Sequence, residues 1–426
     1  MKPLLLRGGR VIDPSRNVDE VTDVLIAEGR IAGLGRNQGT PEGTDIHDVR
    51  GLVVAPGLID LHTHLREPGQ EDRETIATGA MAAAAGGFTA VCAMPNTDPP
   101  IDNQSAVGFV VKQAAAAGGA RVYPIGAITL GQKGEQLAEF GELVAAGAVA
   151  VSDDGHPVVS GHMMRTALEY ARSFDIPVAD HCEEPTLARG GVMHEGAVAT
   201  RLGLKGIPAA AEEIMVARNI LLAGHTGGHA HMLHMSTRGS VELIRRAKEQ
   251  GLPVTAEACP HHFTLTHEAC DGYDTNAKMN PPLREAEDVE AIRAAIKDGT
   301  IEVIATDHAP HHYDAKEREF DDAPFGIVGL ETALGLALTF LVKDGHLSLP
   351  EMIARMSTNP ARVFHLDGGT LAPGAPADVV VFAPAERWTV DPRRFRSKSR
   401  NTPWAGWELA GRAIRTIVGG RTVFGA

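Results

Sequence analysis

Cysteine, aromatic residues and long apolar runs are all scarce in this chain of 426 residues. The four cysteines, Cys92, Cys182, Cys259 and Cys270, include no CxxC pair, and so few thiols in a chain of this length exclude a disulfide framework. Aromatics make up only 4%, so the core must be built mainly from Val, Ile, Leu and Ala. No stretch approaches the roughly 20 apolar residues of a membrane span. The apolar run at the N-terminus is too short for a signal peptide. Excess positive charge is lacking too: the formal net charge is −14, which argues against nucleic acid or an anionic membrane as the main partner. An anionic substrate would gain nothing from that overall field, so a local cationic group would have to capture it. Screening over roughly 8 Å at physiological salt makes such local capture workable. These features describe a soluble, reduced, cytoplasmic protein.

The length exceeds the needs of a single core, yet one α/β barrel with an appendage fits it as well as two or three domains do. Residues 1–55 and 366–426 both carry short strand-like runs joined by turns, including hairpin patterns around Glu28-Gly29 and Gly419-Gly420. They predict one small β-sandwich domain assembled from both termini. The segment between, 56–365, alternates. Strand-like runs fall at 52–61, 88–94, 122–128, 148–152, 176–180, 229–235, 254–258 and 301–306. Helix-like segments lie between most of them, at 74–85, 104–117, 161–173, 210–223, 241–249, 287–297 and 331–342, usually closed by Gly or Pro. This repetition predicts an α/β fold, a (β/α)8 TIM-type barrel, with an open doubly wound sheet as the alternative.

The side chains able to bind a metal fall at the ends of those strands. His62 and His64 close the first, and residues two apart in an extended chain share a face. Asp153 and Asp154 end the fourth, His181 the fifth, His234 the sixth and Asp307 the eighth. Each alone has an ordinary structural explanation: a core histidine, a turn, a helix cap. In a barrel, however, all the C-terminal strand ends converge on one mouth, where active sites of this fold sit. Imidazole and carboxylate together suit Zn2+, with Mn2+ or Co2+ as substitutes.

His62-Thr-His64-Leu-Arg66-Glu-Pro-Gly, Met94-Pro-Asn96-Thr, Ser152-Asp-Asp154-Gly, Ala305-Thr-Asp307-His-Ala-Pro-His311 and Ala323-Pro-Phe-Gly-Ile-Val-Gly-Leu-Glu-Thr together resemble the dihydroorotase family in its long bacterial form. The likeness runs through nearly the whole chain, and the flanking β segments are similar to the small domain of the amidohydrolases. It implies a binuclear zinc site, with His62, His64 and Asp307 on one metal and His181 and His234 on the second. Many relatives bridge the metals with a carboxylated lysine from the fourth strand. No lysine stands there, and the resemblance instead matches Asp154 to the bridging position, with Asp153 as competitor.

The resemblance also implies the reaction: reversible hydrolysis of L-dihydroorotate to N-carbamoyl-L-aspartate in pyrimidine biosynthesis. A hydroxide between two metals would attack the ring carbonyl, and Asp307 would carry its proton to the departing nitrogen. Arg66, two residues beyond His64, has the planar fork suited to a carboxylate. Asn96 and His311 would complete that pocket, while Asn280 and the Gly326 backbone match positions that contact the ring. The aperiodic segment 310–324 has the length of a lid. Implied assemblies are a homodimer and association with aspartate carbamoyltransferase. The competing readings are a hydantoinase or allantoinase, and a subunit that works only with that transferase.

Overall fold

The computed structural model describes residues 2–36 and 39–425. Residues 1, 37, 38 and 426 of the expected terminal domain lie outside these.

The middle of the chain closes into a (β/α)8 TIM-type barrel. Its strands, in chain order, are Leu58–Thr63, Phe88–Ala93, Arg121–Pro124, Val151–Ser152, Val178–Asp180, Ala230–Met232, Val254–Ala258 and Val303–Ile304, all paired in parallel. Two single bridges complete the ring. Gly126 pairs with Val151 to join the third and fourth strands, and Thr63 pairs with His308 to join the first and eighth. The closed ring excludes the open doubly wound sheet.

Burial on both faces explains why these strands read as near-continuous apolar runs. Leu58, Val91, Val178, Met232 and Ile304 join the large cluster shared with the helices. Ile59, Cys92, Ile125, Ala150, Ala179, Leu233 and Val303 form a second buried cluster. The fourth and fifth strands enter the ladder later than their apolar runs suggest, and the eighth is trimmed at both ends.

The run 52–61 reads as one strand but folds as two. Val53–Pro56 belongs to the terminal sheet and Leu58–Thr63 to the barrel. The break is at Gly57, where a Cβ would lie 2.1 Å from Thr89 Oγ1, so only glycine fits. The terminal sheet is built from both ends of the chain. Val53–Pro56 sits between Leu4–Asp13 and Val379–Thr389, and Val18–Ala27, Arg30–Leu34, Glu408–Val418 and Arg421–Phe424 extend the sheet outward. Leu6, Val24, Ile31, Val54, Val379 and Ile417 meet in its core.

The first barrel helix, Ile76–Gly86, starts from a capping box made by Thr75 and Thr78. A short helix at Phe140–Ala146, between the third and fourth strands, has no counterpart in the sequence reading. It spans barely two turns, with Phe140 and Leu143 its buried residues, too little for a clear period. The helix expected at 331–342 begins at Ala333–Ala337 and widens into a π-helical turn at Leu338–Val342. Among the described residues no helix is long and apolar enough to cross a membrane.

The first helix abuts the loop after the eighth strand at Gly86, where a Cβ would fall 2.0 Å from the Leu330 carbonyl oxygen. Gly86→Ala should therefore lower stability by ~1–3 kcal/mol through overpacking. A thermal denaturation midpoint equal to that of the parent would show that the loop yields instead.

Candidate metal centre

Asp154 is the hub of the barrel mouth. Its Oδ1 lies 3.4 Å from His181 Nδ1 and 3.5 Å from His234 Nε2, and its Oδ2 lies 3.4 Å from His64 Nε2 and 3.7 Å from His62 Nε2. Asp307 Oδ1 stands 3.0 Å from His64 Nε2 and 3.4 Å from His62 Nε2. All six side chains are buried. Asp153 turns away: its carboxylate accepts from the Ile128 and Thr129 amides and from Thr129 Oγ1. The structure thus brings together every sequence-predicted ligand and sets Asp153 apart from them.

These side chains are held from behind. Glu257 Oε1 lies 2.6 Å from His62 Nδ1, while Glu257 Oε2 meets His231 Nε2 at 3.2 Å. A carboxylate at Nδ1 leaves Nε2 as the free lone pair of His62, directed between Asp154 and Asp307. Asn96 Oδ1 does the same for His64, 2.9 Å from its Nδ1. Asp60 accepts from the amides of His62 and Thr306 and from Thr306 Oγ1, and so pins the first strand to the eighth. His234 and Asp307 adopt left-handed φ values of 38° and 48°, and Arg66 one of 62°. Such strain in non-glycine residues gathers where a site dictates the geometry.

The donor set fits a metal. His62 Nε2 and Asp154 Oδ1, both turned into the centre, are buried with no hydrogen-bond partner. Such orphans are costly unless something else satisfies them. His62, His64 and Asp307 form one group of converging donor atoms, and His62, Asp154 and His234 another. The electrostatics agree. Burial alone would lower the pKa of His62, but Asp307, Glu257 and Asp154 raise it well above the usual histidine value. Burial would raise Asp154, yet His62, His181 and His234 hold it well below the usual carboxylate range. The centre is therefore a point where positive charge is stabilised. Cys182, next to His181, faces Asp180 and Asn219 and lies outside both groups.

One wall of the mouth is cationic. Arg66 is 8% exposed, and its Nε donates to the Pro310 carbonyl at 3.2 Å. Among the described residues no carboxylate lies within ion-pair distance of it; Glu67 instead accepts from Ile76 N and Gln113, and Glu71 from Gly69 N. Burial and the charge of Arg73 lower the Arg66 pKa to about 10, so it stays protonated at neutral pH. His311 lies beside it and donates to the Phe325 carbonyl at 2.7 Å, kept neutral by burial and by Arg66. Gly326 packs on that ring, where a Cβ would fall 2.8 Å from His311 Nε2. Asn280, on the opposite side of the site, donates to Glu183 at 2.9 Å and stands 3.5 Å from His181 Nε2.

The segment 310–324 is fastened down. It holds the short helix Tyr313–Lys316, and Lys316 Nζ caps the Thr275 and Pro324 carbonyls at 2.8 Å each. Lys278 Nζ caps Phe320 and Asp321.

Sequence reasoning missed three features. Glu257 was legible as an acid inside the apolar seventh strand. Cys259 and His261 lie within ligand reach of Asp307. Asn401 comes from beyond the barrel: its Nδ2 donates to the Ala309 and Gly326 carbonyls at 3.0 Å each, and its Oδ1 accepts from His311 N at 3.2 Å. A further donor group, His194, His267 and Glu285, reads differently. Arg284 Nη1 lies 3.2 Å from His194 Nδ1, which leaves the proton on Nε2, facing Glu285 at 3.9 Å. Only the Arg284 contact is a hydrogen bond; the Nε2 proton faces the carboxylate at ion-pair distance, so no lone pair of His194 is aimed at a metal.

Replacing Glu257 by Gln keeps the shape but removes the charge behind His62. Metal affinity, measured by chelator competition, should fall about 10- to 100-fold. Unchanged affinity would mean that the contact only packs the strand.

The family model described as dihydro-orotase-like matches residues 51–240. The chain is 53% identical over 421 residues to the dihydroorotase of Geobacter metallireducens, with 99% of each chain covered. It is 56% identical over 422 residues to that of Anaeromyxobacter dehalogenans, covering 99% of this chain and 97% of the other. Among solved structures, the L-hydantoinase (dihydropyrimidinase) of Arthrobacter aurescens superposes with a TM-score of 0.88 at 25% identity, covering 100% of this chain and 96% of that one. The dihydropyrimidinase of Brevibacillus agri, at 23% identity and a TM-score of 0.84, shares the fold. Likeness of this extent and identity across the full chain, together with the barrel-mouth site, establishes a cyclic amidohydrolase, and the chain belongs to the dihydroorotase family.

Proposed function

We propose that this protein hydrolyses the ring amide of L-dihydroorotate reversibly to N-carbamoyl-L-aspartate, the ring-closing step of pyrimidine biosynthesis run in either direction. The observation that carries this reading is Arg66, a buried cation with no carboxylate partner among the described residues. A buried charge left unpaired is expensive, and an anionic ligand removes that cost. The hydantoinase reading, favoured by the structural neighbours, concerns neutral rings and gives Arg66 nothing to bind.

In this reading His62, His64 and Asp307 would hold one divalent cation and His181 and His234 a second, with Asp154, within 3.7 Å of all four imidazoles, available to either. The imidazole and carboxylate set suits Zn2+. When bound, such ions lower the pKa of water toward about 7 and polarise a carbonyl oxygen. Glu257 and Asn96 keep the imidazoles of His62 and His64 oriented. Asp307 accepts the proton of the attacking water and hands it to the leaving ring nitrogen, a transfer its carboxylate can make without leaving the mouth. The Arg66 fork binds the substrate carboxylate beside His311. Asn96 can join them, because its Nδ2 is held only by contacts of 3.3 and 3.4 Å to Asp154. Asn280 and the Gly326 backbone face the ring. The protein is expected to act in the cytoplasm as a homodimer, and a complex with aspartate carbamoyltransferase is the further assembly that the family suggests.

The direct test is turnover of L-dihydroorotate by zinc-replete protein, with hydantoin and allantoin in parallel. Only the first should react; turnover of a neutral ring instead would overturn the substrate. Ring opening creates a carboxylate and releases a proton, so the equilibrium ratio of open to closed form should rise about tenfold per pH unit near neutrality. A ratio independent of pH would exclude the reaction.

Asn401→Asp keeps the shape but removes both donors to the Ala309 and Gly326 carbonyls. Losing these bonds should cost ~1–3 kcal/mol of substrate-wall order. KM for dihydroorotate should rise about tenfold or more, with a smaller change in kcat. Equal losses in kcat and metal content would instead indicate general unfolding.

A further inference from the structure

The chain is acidic overall, yet residues 393–400 contain five cations and no acid: Arg393, Arg394, Arg396, Lys398 and Arg400. The segment alternates in burial. Phe395, Ser397 and Ser399 point inward, while Arg394, Arg396, Lys398 and Arg400 are exposed. Two of the outward cations are used locally: Lys398 Nζ caps the Glu71 carbonyl, and Arg400 caps the Ser397 and Ser399 carbonyls.

Arg394 and Arg396 instead line a cavity of about 980 Å³ at the seam between the barrel and the terminal sheet, together with Arg412 and Trp388. That volume suits a ligand of nucleotide size. Arg387 and Arg393 also border it, but they pair with Glu408 and Asp391. Among the described residues Arg394 and Arg396 have no ion-pair partner, and the Arg412 guanidinium lies 5.8 Å from the Trp388 ring centroid.

The acids of the cavity compete weakly. Glu331 already accepts from the Arg396 and Ser397 amides, and burial pushes it up to about 7, so part of it is neutral at physiological pH. Asp391 is taken by Arg393, which leaves the exposed Glu386 as the one remaining opposing charge in the lining. Guanidinium groups gathered around one hollow repel one another unless an anion enters, and their planar forks match phosphate oxygens. A concave hollow favours a small anion over the flat acidic face of a protein.

We propose that this cavity is a binding site for a polyphosphate-bearing anion, with Arg394, Arg396 and Arg412 as its cationic contacts. The site is separate from the metal centre and does not depend on the reaction assigned there.

The test is calorimetric titration of the full-length, zinc-loaded protein with magnesium-saturated ATP and, separately, with magnesium tripolyphosphate at 0.15 M salt. Both should bind, and the Arg394→Ala/Arg396→Ala double variant should lose at least tenfold in affinity for each. Binding of ATP alone would still support the site and would add a contribution from the ring. A ligand-dependent change in tryptophan fluorescence that disappears in Trp388→Phe would place the ligand in this cavity. Dihydroorotate turnover and the thermal midpoint of the double variant should match the parent, which separates loss of the site from loss of the fold. No binding up to several millimolar, or equal binding by the double variant, would overturn the proposal. Equal binding would place the anion on the metals.

Discussion

The structure turns on a concentration of charge largely withdrawn from bulk water. Asp154, Asp307 and Glu257 are buried with four imidazoles at one end of a closed barrel. Carboxylates taken out of water are tolerable only when each finds compensating charge or hydrogen bonds. Here every carboxylate faces at least one histidine, and the outer nitrogens of His62 and His64 are held from behind by Glu257 and Asn96. Three residues are forced into left-handed backbone, so that these groups meet at one point. The same field that would destabilise an empty cluster makes it receptive to a divalent cation.

A second constraint follows from the first. A mouth crowded with carboxylates repels an anionic substrate, so capture has to be local. Arg66 meets that need from the same loop that delivers His64, and burial strengthens it by excluding competing water. The same wall is continued by His311, by the Gly326 backbone packed on its ring and by the capped segment after the eighth strand. Substrate selection and metal binding are thus carried on adjacent parts of the first and eighth strands, which the Thr63–His308 bridge brings side by side.

Much of this was legible in the sequence, because strand periodicity and the position of ligands at strand ends are local properties. His62 and His64 announce themselves by spacing, and His181, His234 and Asp307 by closing apolar runs. The choice between Asp153 and Asp154 was not legible, since adjacent residues differ only in which way the chain turns after the fourth strand. The division of 52–61 was hidden for a related reason. Its apolar run is continuous, and only the close approach of Thr89 to Gly57 shows that two sheets share it. Asn401 was out of reach altogether. It lies 90 residues from His311, in a polar stretch outside the barrel, and its role exists only once the terminal sheet has folded back.

That position in the chain has a consequence for synthesis. All eight barrel strands are made before Asn401, and the bonds that join Ala309 to Ile327 and His311 to Phe325 need nothing later in the chain, but the side-chain bonds from Asn401 to Ala309, His311 and Gly326 form only once it arrives. All six metal-ligand candidates lie upstream of it, on segments made well before the terminal sheet is complete. The last of the bonds that fix the substrate wall thus come from a residue made some ninety positions after the wall itself.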